Sequence, residues 1–75
     1  MKIYSTRDIV AKSFSSLVCL ENDATAIRSF QDGMKGNRFF SDYELCLLGE
    51  IDMTTGYISS VDPIVIFPVS GVSNE

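Results

Sequence analysis

The chain has 75 residues, of which 45% are hydrophobic, so it can bury the core of one small domain but not of a second. Six basic residues, ten acidic residues and no histidine give a net charge of −4 and exclude Ser-His-Asp or Cys-His pairs and histidine-ligated metal sites. The composition therefore predicts one small globular domain that is not an enzyme.

The N-terminal segment is predicted to form an irregular β-hairpin. Lys2 to Arg7 alternates in side-chain character and is rich in β-branched and aromatic residues, which favours a strand. Phe14 to Leu20 has the same character. We therefore predict a second strand there, with Asp8 to Ser13 as the connection.

A single amphipathic helix is predicted over about Asp23 to Met34. Asn22 is a suitable N-cap, Asp23 favours the positive end of the helix dipole, and Gly33 or Gly36 provides a stop. Apolar side chains recur at three- and four-residue spacing and define one core-facing stripe, formed by Ala26, Ile27, Phe30 and Met34. The residues predicted to point away from the core are Arg28, Gln31, Asp32 and Lys35.

The second half of the chain is predicted to be mainly strand. Tyr43 to Asp52 is predicted to form the central strand. A turn that ends at Gly56 follows it, and the segment from Tyr57 is predicted to pair with it as the second strand of a hairpin. Strict alternation places Tyr43, Leu45, Leu47, Gly49 and Ile51 on one face and Glu44, Cys46, Leu48, Glu50 and Asp52 on the other. After a break at Asp62-Pro63, the residues Ile64 to Phe67 are predicted to form the last strand.

These elements predict an α+β fold, with a small, mostly antiparallel sheet and one amphipathic helix packed on one of its faces. The domain is expected over residues 1–69, with a flexible C-terminal tail over residues 70–75. No internal repeat or low-complexity tract divides the chain.

One helix covers only one face of a sheet, so an apolar surface is expected to remain on the other face. The residues assigned to this surface are Cys46, Leu48, Ile64 and Ile66. Because a chain of this size buries a modest fraction of its surface, we expect a homo-oligomer whose interface contains these four residues. The alternative is that the N-terminal hairpin and the C-terminal tail fold back over them.

The charges are distributed unevenly along the chain. All six basic residues precede Phe39, and no Lys or Arg follows it. Lys35 and Arg38 lie among three aromatic residues, a combination that attracts phosphates and stacks on the bases of single-stranded nucleic acid. The candidate nucleic-acid-binding residues are Arg28, Lys35, Arg38, Phe40 and Tyr43. The alternatives are that Phe39 and Phe40 close the core, and that the charge asymmetry provides solubility and attraction between the two halves.

A glycine-rich motif and a group of carboxylates give weaker indications of function. The Gly33-Met34-Lys35-Gly36 sequence matches the G-x-x-G loop of KH domains, but that loop precedes a helix, whereas a strand is predicted here. Glu44, Glu50 and Asp52 are the only clustered acid/base candidates, and nothing in the sequence indicates that one of them is desolvated. We therefore predict no catalytic residue.

No membrane segment, metal site or cofactor is predicted. The longest apolar stretch, Pro63 to Val69, is far shorter than the roughly 20 residues that cross a bilayer, and the N-terminus lacks the apolar core of a signal peptide. We therefore expect the protein to remain in the compartment where it is made. Cys19 and Cys46 are not in a CxxC motif and are expected to be reduced, buried hydrophobic residues.

Three segments carry a resemblance to a known family: Met1 to Ser5 with Arg7-Asp8, the Asn22 to Phe30 helix, and the strand from Asp42 through Leu48-Gly49-Glu50-Ile51-Asp52 to Thr55-Gly56. Together they resemble the small non-structural protein of gokushoviruses, which are single-stranded DNA phages of the microvirus group. The resemblance extends in order from Met1 to about Ile58.

This resemblance implies a DNA-binding or replication-associated protein of the host bacterial cytoplasm that favours synthesis and packaging of single-stranded genomes. It implies no catalytic residue. Two functions are therefore expected to compete: binding of single-stranded DNA, and interaction with replication, capsid or host proteins without contact to DNA. The resemblance favours the former, whereas the acidic second half and the uncovered sheet favour the latter.

Overall fold

The computed structural model describes residues 1–68, so the predicted tail over residues 70–75 lies outside the described part of the chain. The secondary-structure elements are β1 (Lys2–Asp8), β2 (Ser13–Phe14), β3 (Val18–Leu20), α1 (Asp23–Gly33), β4 (Tyr43–Ile51) and β5 (Ile58–Phe67). A 3₁₀ turn at Phe40–Asp42 precedes β4.

The strands form one antiparallel sheet in the order β2-β1-β4-β5, and β3 pairs with β1 beside β2. β2 and β3 are two parts of the predicted second strand, separated by residues 15–17. β4 pairs with β1 on one side and with β5 on the other, as expected of a central strand. The predicted α+β fold, with one helix and a small antiparallel sheet, is confirmed.

The helix begins and ends close to its predicted bounds. The Asn22 side chain accepts a hydrogen bond from the Thr25 amide at 2.9 Å, which satisfies one of the unpaired N–H groups of the first turn. Ala26 and Phe30 are buried against the sheet, whereas Met34 is the C-cap and is partly buried. The predicted apolar stripe therefore faces the core.

A hydrogen bond from the sheet to the helix fixes the helix N-terminus. Tyr4 has no exposed surface, and its hydroxyl donates to the carboxylate of Asp23 at 2.6 Å. Lys2 adds an ion pair to the same carboxylate at 3.8 Å. Burial raises the pKa of Tyr4 well above its ordinary value, and the hydrogen bond and the negative charge of Asp23 raise it further.

Three phenylalanines pack together at the other end of the helix. Phe30 on α1 lies 5.8 Å from Phe40 and 5.6 Å from Phe67 between ring centroids, and Phe40 lies 6.0 Å from Phe67. These separations are typical of favourable tilted and edge-to-face aromatic pairs. The cluster joins the helix, the 3₁₀ turn and β5 at one end of the core.

A β-bulge at Leu48 reverses the alternation of side chains along β4. Tyr4 pairs with Leu47, and the preceding residue Ile3 pairs with Gly49, so Leu48 is an extra residue in β4. Since Ile3 and Tyr4 lie on opposite faces of β1, Leu47 and Gly49 lie on opposite faces of β4. The predicted single face containing both residues is therefore wrong, because strict alternation does not continue through a bulge.

Gly49 also allows β5 to approach β4 closely. A Cβ atom at this position would overlap the carbonyl oxygen of Ser59 and would lie 3.1 Å from the Cα atom of Ser60. Gly49 is buried and occupies the irregular part of the β4–β5 pairing. A residue without a side chain is therefore required where the two backbones meet.

The four residues predicted to form an oligomer interface do not form one surface. Cys46 has no exposed surface, Ile66 packs against the core and Leu48 is half-buried, whereas Ile64 is 49% exposed. Cys46 pairs with Val65 and Ile64 pairs with Leu47. Because adjacent residues of a strand point to opposite faces, Cys46 and Ile64 lie on different sides of the sheet.

The two cysteines differ in environment, and neither forms a disulfide. Cys46 is buried as expected, and burial, together with the charge of Glu44, raises the pKa of its thiol above the ordinary value. Cys19 is exposed, contrary to the prediction. It lies on the short strand β3, whose one strand partner within residues 1–68 is β1.

Tyr4→Phe is expected to lower the free energy of unfolding by about 2 kcal/mol at pH 7, because the Asp23 carboxylate loses its buried donor. The raised pKa of Tyr4 means that the folded state favours the neutral phenol, so this stabilisation is complete below about pH 10 and is lost as the pH rises through the folded-state pKa. Urea unfolding of the wild type and the variant between pH 7 and pH 11 measures both effects.

The matched control is Tyr57→Phe, which makes the same chemical change on a side chain that is 81% exposed. It is expected to change stability by less than about 0.5 kcal/mol. Equal stability of Tyr4→Phe and Tyr57→Phe would contradict the proposed anchoring of the helix by Tyr4.

Candidate nucleic-acid interface after the helix

The segment that follows α1 is a compact turn held by its own backbone. Gly36 has a φ of +82°, a left-handed conformation that glycine adopts without a steric penalty. The Asn37 amide then donates to the carbonyl oxygen of Met34 at 2.9 Å, and the Asn37 side chain accepts from the Phe39 amide at 2.8 Å. These bonds define the course of the backbone between the helix and the 3₁₀ turn.

Arg38 and Phe39 form an exposed pair in this segment. The guanidinium carbon of Arg38 lies 5.0 Å from the centre of the Phe39 ring, within the range of a cation–π interaction. More than half of the Phe39 surface is exposed. An exposed ring beside a guanidinium group can stack on a nucleobase while the cation attracts the adjacent phosphate.

Lys35 lies at a concavity of about 310 Å³ between the end of the helix and the following turn. Phe40 forms part of its wall, and the other lining residues are Gln31, Met34, Gly36 and Asn37. The concavity therefore combines a cation, an aromatic ring and two side-chain amides. Lys35 also follows the C-terminal end of α1, where a positive charge interacts favourably with the helix dipole.

Phe40 and Tyr43, the two aromatic residues predicted to stack on bases, contact the core. Phe40 packs against Phe30 and Phe67 but is still 38% exposed, and Tyr43 is half-buried against the core. Phe39 is the more exposed ring; it is one of the three aromatics near the two cations in sequence, but it is not among the candidate binding residues. The sequence does not distinguish the two adjacent rings, because both precede the strand, where no alternation of side chains applies.

Arg28 lies apart from the turn, on the exposed side of the helix about two turns before Lys35. Asp32 is also exposed and lies between them in sequence, so it reduces the positive charge of this side. We call Arg28, Lys35, Arg38 and Phe39 the basic surface. Lys35, Arg38 and Phe39 are exposed within one short segment, and Arg28 is exposed on the helix that precedes it.

The remaining cations include two that carboxylates already neutralise. Lys2 pairs with Asp23, and Arg7 pairs with Glu44 at 3.2 Å. Arg7 and Glu44 come from different halves of the chain, which agrees with the expected attraction between the halves. Within residues 1–68, the three cations of the basic surface have no carboxylate within 4.0 Å. Their charges therefore remain available to a phosphate.

The three clustered carboxylates of the sequence are separated in the fold. Glu44 pairs with Arg7 across the sheet, and Glu50 pairs with Lys2. Arg7 and Lys2 lie on opposite faces of β1, so the prediction that Glu44 and Glu50 share a face is wrong. The cause is again the bulge at Leu48.

Asp52 lies in the β4–β5 turn, where its side chain accepts hydrogen bonds from the amides of Thr54 and Thr55. These bonds hold the pKa of this carboxyl below its usual value. Among the described residues, no group of three Cys, Asp or Glu side chains is placed to bind a metal ion. No helix within residues 1–68 is long and apolar enough to cross a membrane.

The structure is a small α+β domain in which an exposed arginine lies over an exposed aromatic ring, in the segment that follows the helix. The sequence profile of the family described as Phage ORF5 protein matches residues 1–72. The chain therefore belongs to this family and is a phage protein. No curated protein and no solved structure matches it.

Phe40→Ala is expected to lower the free energy of unfolding by about 2 kcal/mol, because it removes one ring from the phenylalanine cluster. Phe39→Ala is expected to change it by less than about 0.5 kcal/mol, because that ring is largely exposed. Chemical denaturation of both variants measures the difference. Similar losses would contradict the assignment of Phe40 to the core and Phe39 to the surface.

Proposed function

We propose that this phage protein is a non-enzymatic accessory factor that binds single-stranded DNA weakly through the basic surface. The observation that carries the proposal is the exposed Arg38–Phe39 pair beside Lys35, whose charges are not neutralised within the described chain. Base stacking on Phe39 needs an unpaired base, so single strands are favoured over duplexes. The proposed role is in replication or packaging of a phage genome in the cytoplasm of the host bacterium.

The more specific origin is also a proposal. The helix from Asn22 to Phe30 and the segment from Leu48 to Gly56 resemble the small non-structural protein of gokushoviruses. Those phages have single-stranded DNA genomes, which agrees with a surface suited to unpaired bases. We therefore propose that the chain comes from a gokushovirus or a closely related microvirus.

Electrostatics limits the strength of this binding. The net charge of −4 repels phosphates at long range, so only the local field of Arg28, Lys35 and Arg38 favours contact. Three phosphate contacts with a single strand give a slope of about −2 in a plot of log affinity against log salt concentration. Binding is therefore expected to be weak and to decrease at high salt.

A second candidate function is interaction with other proteins. Large apolar side chains are exposed outside the basic surface, most strongly Val10, Leu17, Met53, Tyr57 and Ile58. Exposed apolar groups of this number favour an interface with another chain. The partner of this candidate is a replication, capsid or host protein, and the proposed homo-oligomer would use the same kind of surface.

Fluorescence anisotropy of a labelled oligothymidine, measured at several salt concentrations, tests DNA binding. We expect Lys35→Gln with Arg38→Gln to weaken binding at low salt and to reduce the slope from about −2 to about −0.7, because two of three phosphate contacts are lost. Phe39→Leu is expected to weaken binding about tenfold without changing the slope, because it removes stacking and leaves the charge unchanged.

Lys12→Gln is the matched control, since it removes an exposed cation from the β1–β2 turn, outside the basic surface. It is expected to leave the affinity within about twofold of the wild type, since it removes no phosphate contact. Unchanged binding by the double variant, or equal losses for Lys12→Gln and the double variant, would reject the basic surface as the DNA site. The protein-interaction function would then be favoured.

A further inference from the structure

The basic surface and the β4–β5 turn lie at opposite ends of the molecule. β4 begins at Tyr43, directly after the 3₁₀ turn, and ends at Ile51, directly before the β4–β5 turn. A nine-residue strand separates its ends by about 25–30 Å, and the molecule is 40 Å long in its longest dimension. Residues of the two ends therefore cannot meet within one chain.

The β4–β5 turn and its neighbours form an apolar end with negative charge. Met53 is 68% exposed and Tyr57 is 81% exposed, and both line a concavity of about 480 Å³ together with Glu50 and Asp52. We call these four residues the acidic tip. Within residues 1–68, neither of its carboxylates has a cation within 4.0 Å.

Two positive charges lie near this end: the N-terminal ammonium group and Lys2, which is the cross-strand partner of Glu50. The ammonium group donates a hydrogen bond to the Ile51 carbonyl oxygen at 3.1 Å, and Lys2 forms its ion pair with Asp23. With Asp23 included, three carboxylates face two cations, so the end keeps a negative charge. The amides of Thr54 and Thr55 donate to the Asp52 carboxylate and hold its pKa below the usual value.

The acidic tip and the basic surface complement each other. Each exposes aromatic or other apolar surface beside charged groups, and the charges of the two ends have opposite sign. Phe39 with Arg38 at one end corresponds to Tyr57 with Glu50 and Asp52 at the other. Opposite potentials on two surfaces favour their encounter and orient them.

We propose that the acidic tip of one copy binds the basic surface of a second copy, head to tail. Since the two surfaces are different, the contact is heterologous, and each bound copy leaves one surface of each kind unoccupied. Repetition of this contact extends a chain of copies or closes a ring. Both surfaces are small, so the association is weak and appears at high protein concentration.

In the described part of the chain β5 is an edge strand, and its outer edge is less suited to self-association. Gly49 pairs with Ser60 and Leu47 pairs with Ile64, so residues 61–63 form a bulge opposite the single residue Leu48. This bulge contains Pro63, which has no amide hydrogen to donate. Bulges and prolines at an edge hinder the addition of another strand.

Sedimentation equilibrium of the protein without DNA tests the proposal. The weight-average mass of the wild type is expected to rise above 8.3 kDa between about 0.1 and 1 mM in low salt, and to return towards that value at high salt, where charges are screened. Lys35→Gln with Arg38→Gln removes the charges of the basic surface, and Glu50→Gln with Asp52→Asn removes those of the acidic tip without introducing charges of the opposite sign. Asparagine at position 52 retains an acceptor for the turn.

Each double variant is expected to remain a monomer by itself. An equimolar mixture is expected to form a dimer and nothing larger, because each variant keeps one intact surface of the opposite kind. Lys12→Gln and Asp62→Asn are the control variants, since each neutralises one charge of the same sign on an exposed residue outside the two surfaces. Both controls are expected to associate like the wild type.

The equimolar mixture of the two double variants distinguishes a head-to-tail contact from a symmetric contact. A wild type that remains a monomer at 1 mM in low salt would overturn the proposal, as would a mixture of folded double variants that remains monomeric. Association of either double variant alone to the extent of the wild type would also overturn it. These measurements contain no DNA, so they can fail independently of the proposed DNA binding.

Discussion

The hydrogen bond from the buried Tyr4 hydroxyl to Asp23 fixes how the helix lies on the sheet. It places the N-terminus of α1 beside the start of β1, so the helix C-terminus reaches the opposite end of the sheet. There, Phe30 meets Phe40 and Phe67 and connects the end of the helix to the 3₁₀ turn and β5. The position of the basic surface is a consequence, because that surface begins where the helix ends.

The same arrangement separates the charges of the molecule. The exposed cations Lys35 and Arg38 follow the helix, whereas Glu50 and Asp52 lie near the β4–β5 turn at the other end. The net charge of −4 is a sum over the whole chain and does not give the local charge at either end. The proposed weak binding of a polyanion at one end and the proposed self-association between the two ends both rest on this separation, and the two would compete for the same cations.

The sequence predicts the order of the elements, the helix and its cap, because Asn22, the apolar stripe and the β4–β5 turn are local signals. It does not predict the face assignment of β4, because one extra residue at Leu48 reverses the alternation, although consecutive leucines before Gly49 are a hint. Three of the five candidate DNA-binding residues lie on the basic surface. Phe40 and Tyr43 contact the core instead, because tertiary packing decides which aromatic ring remains exposed.

The central claim is that the residues after the helix bind single-stranded DNA. The most direct test is a titration of ¹⁵N-labelled protein with oligothymidine at low salt, followed by amide chemical shifts, at a protein concentration below about 0.1 mM so that the copies are monomeric before DNA is added. We predict concentration-dependent shifts at residues 35–39 and at Arg28, with the amides of Thr54 and Thr55 at the β4–β5 turn unchanged. Shifts concentrated at that turn or in β5, or no shifts at millimolar oligonucleotide, would contradict the claim.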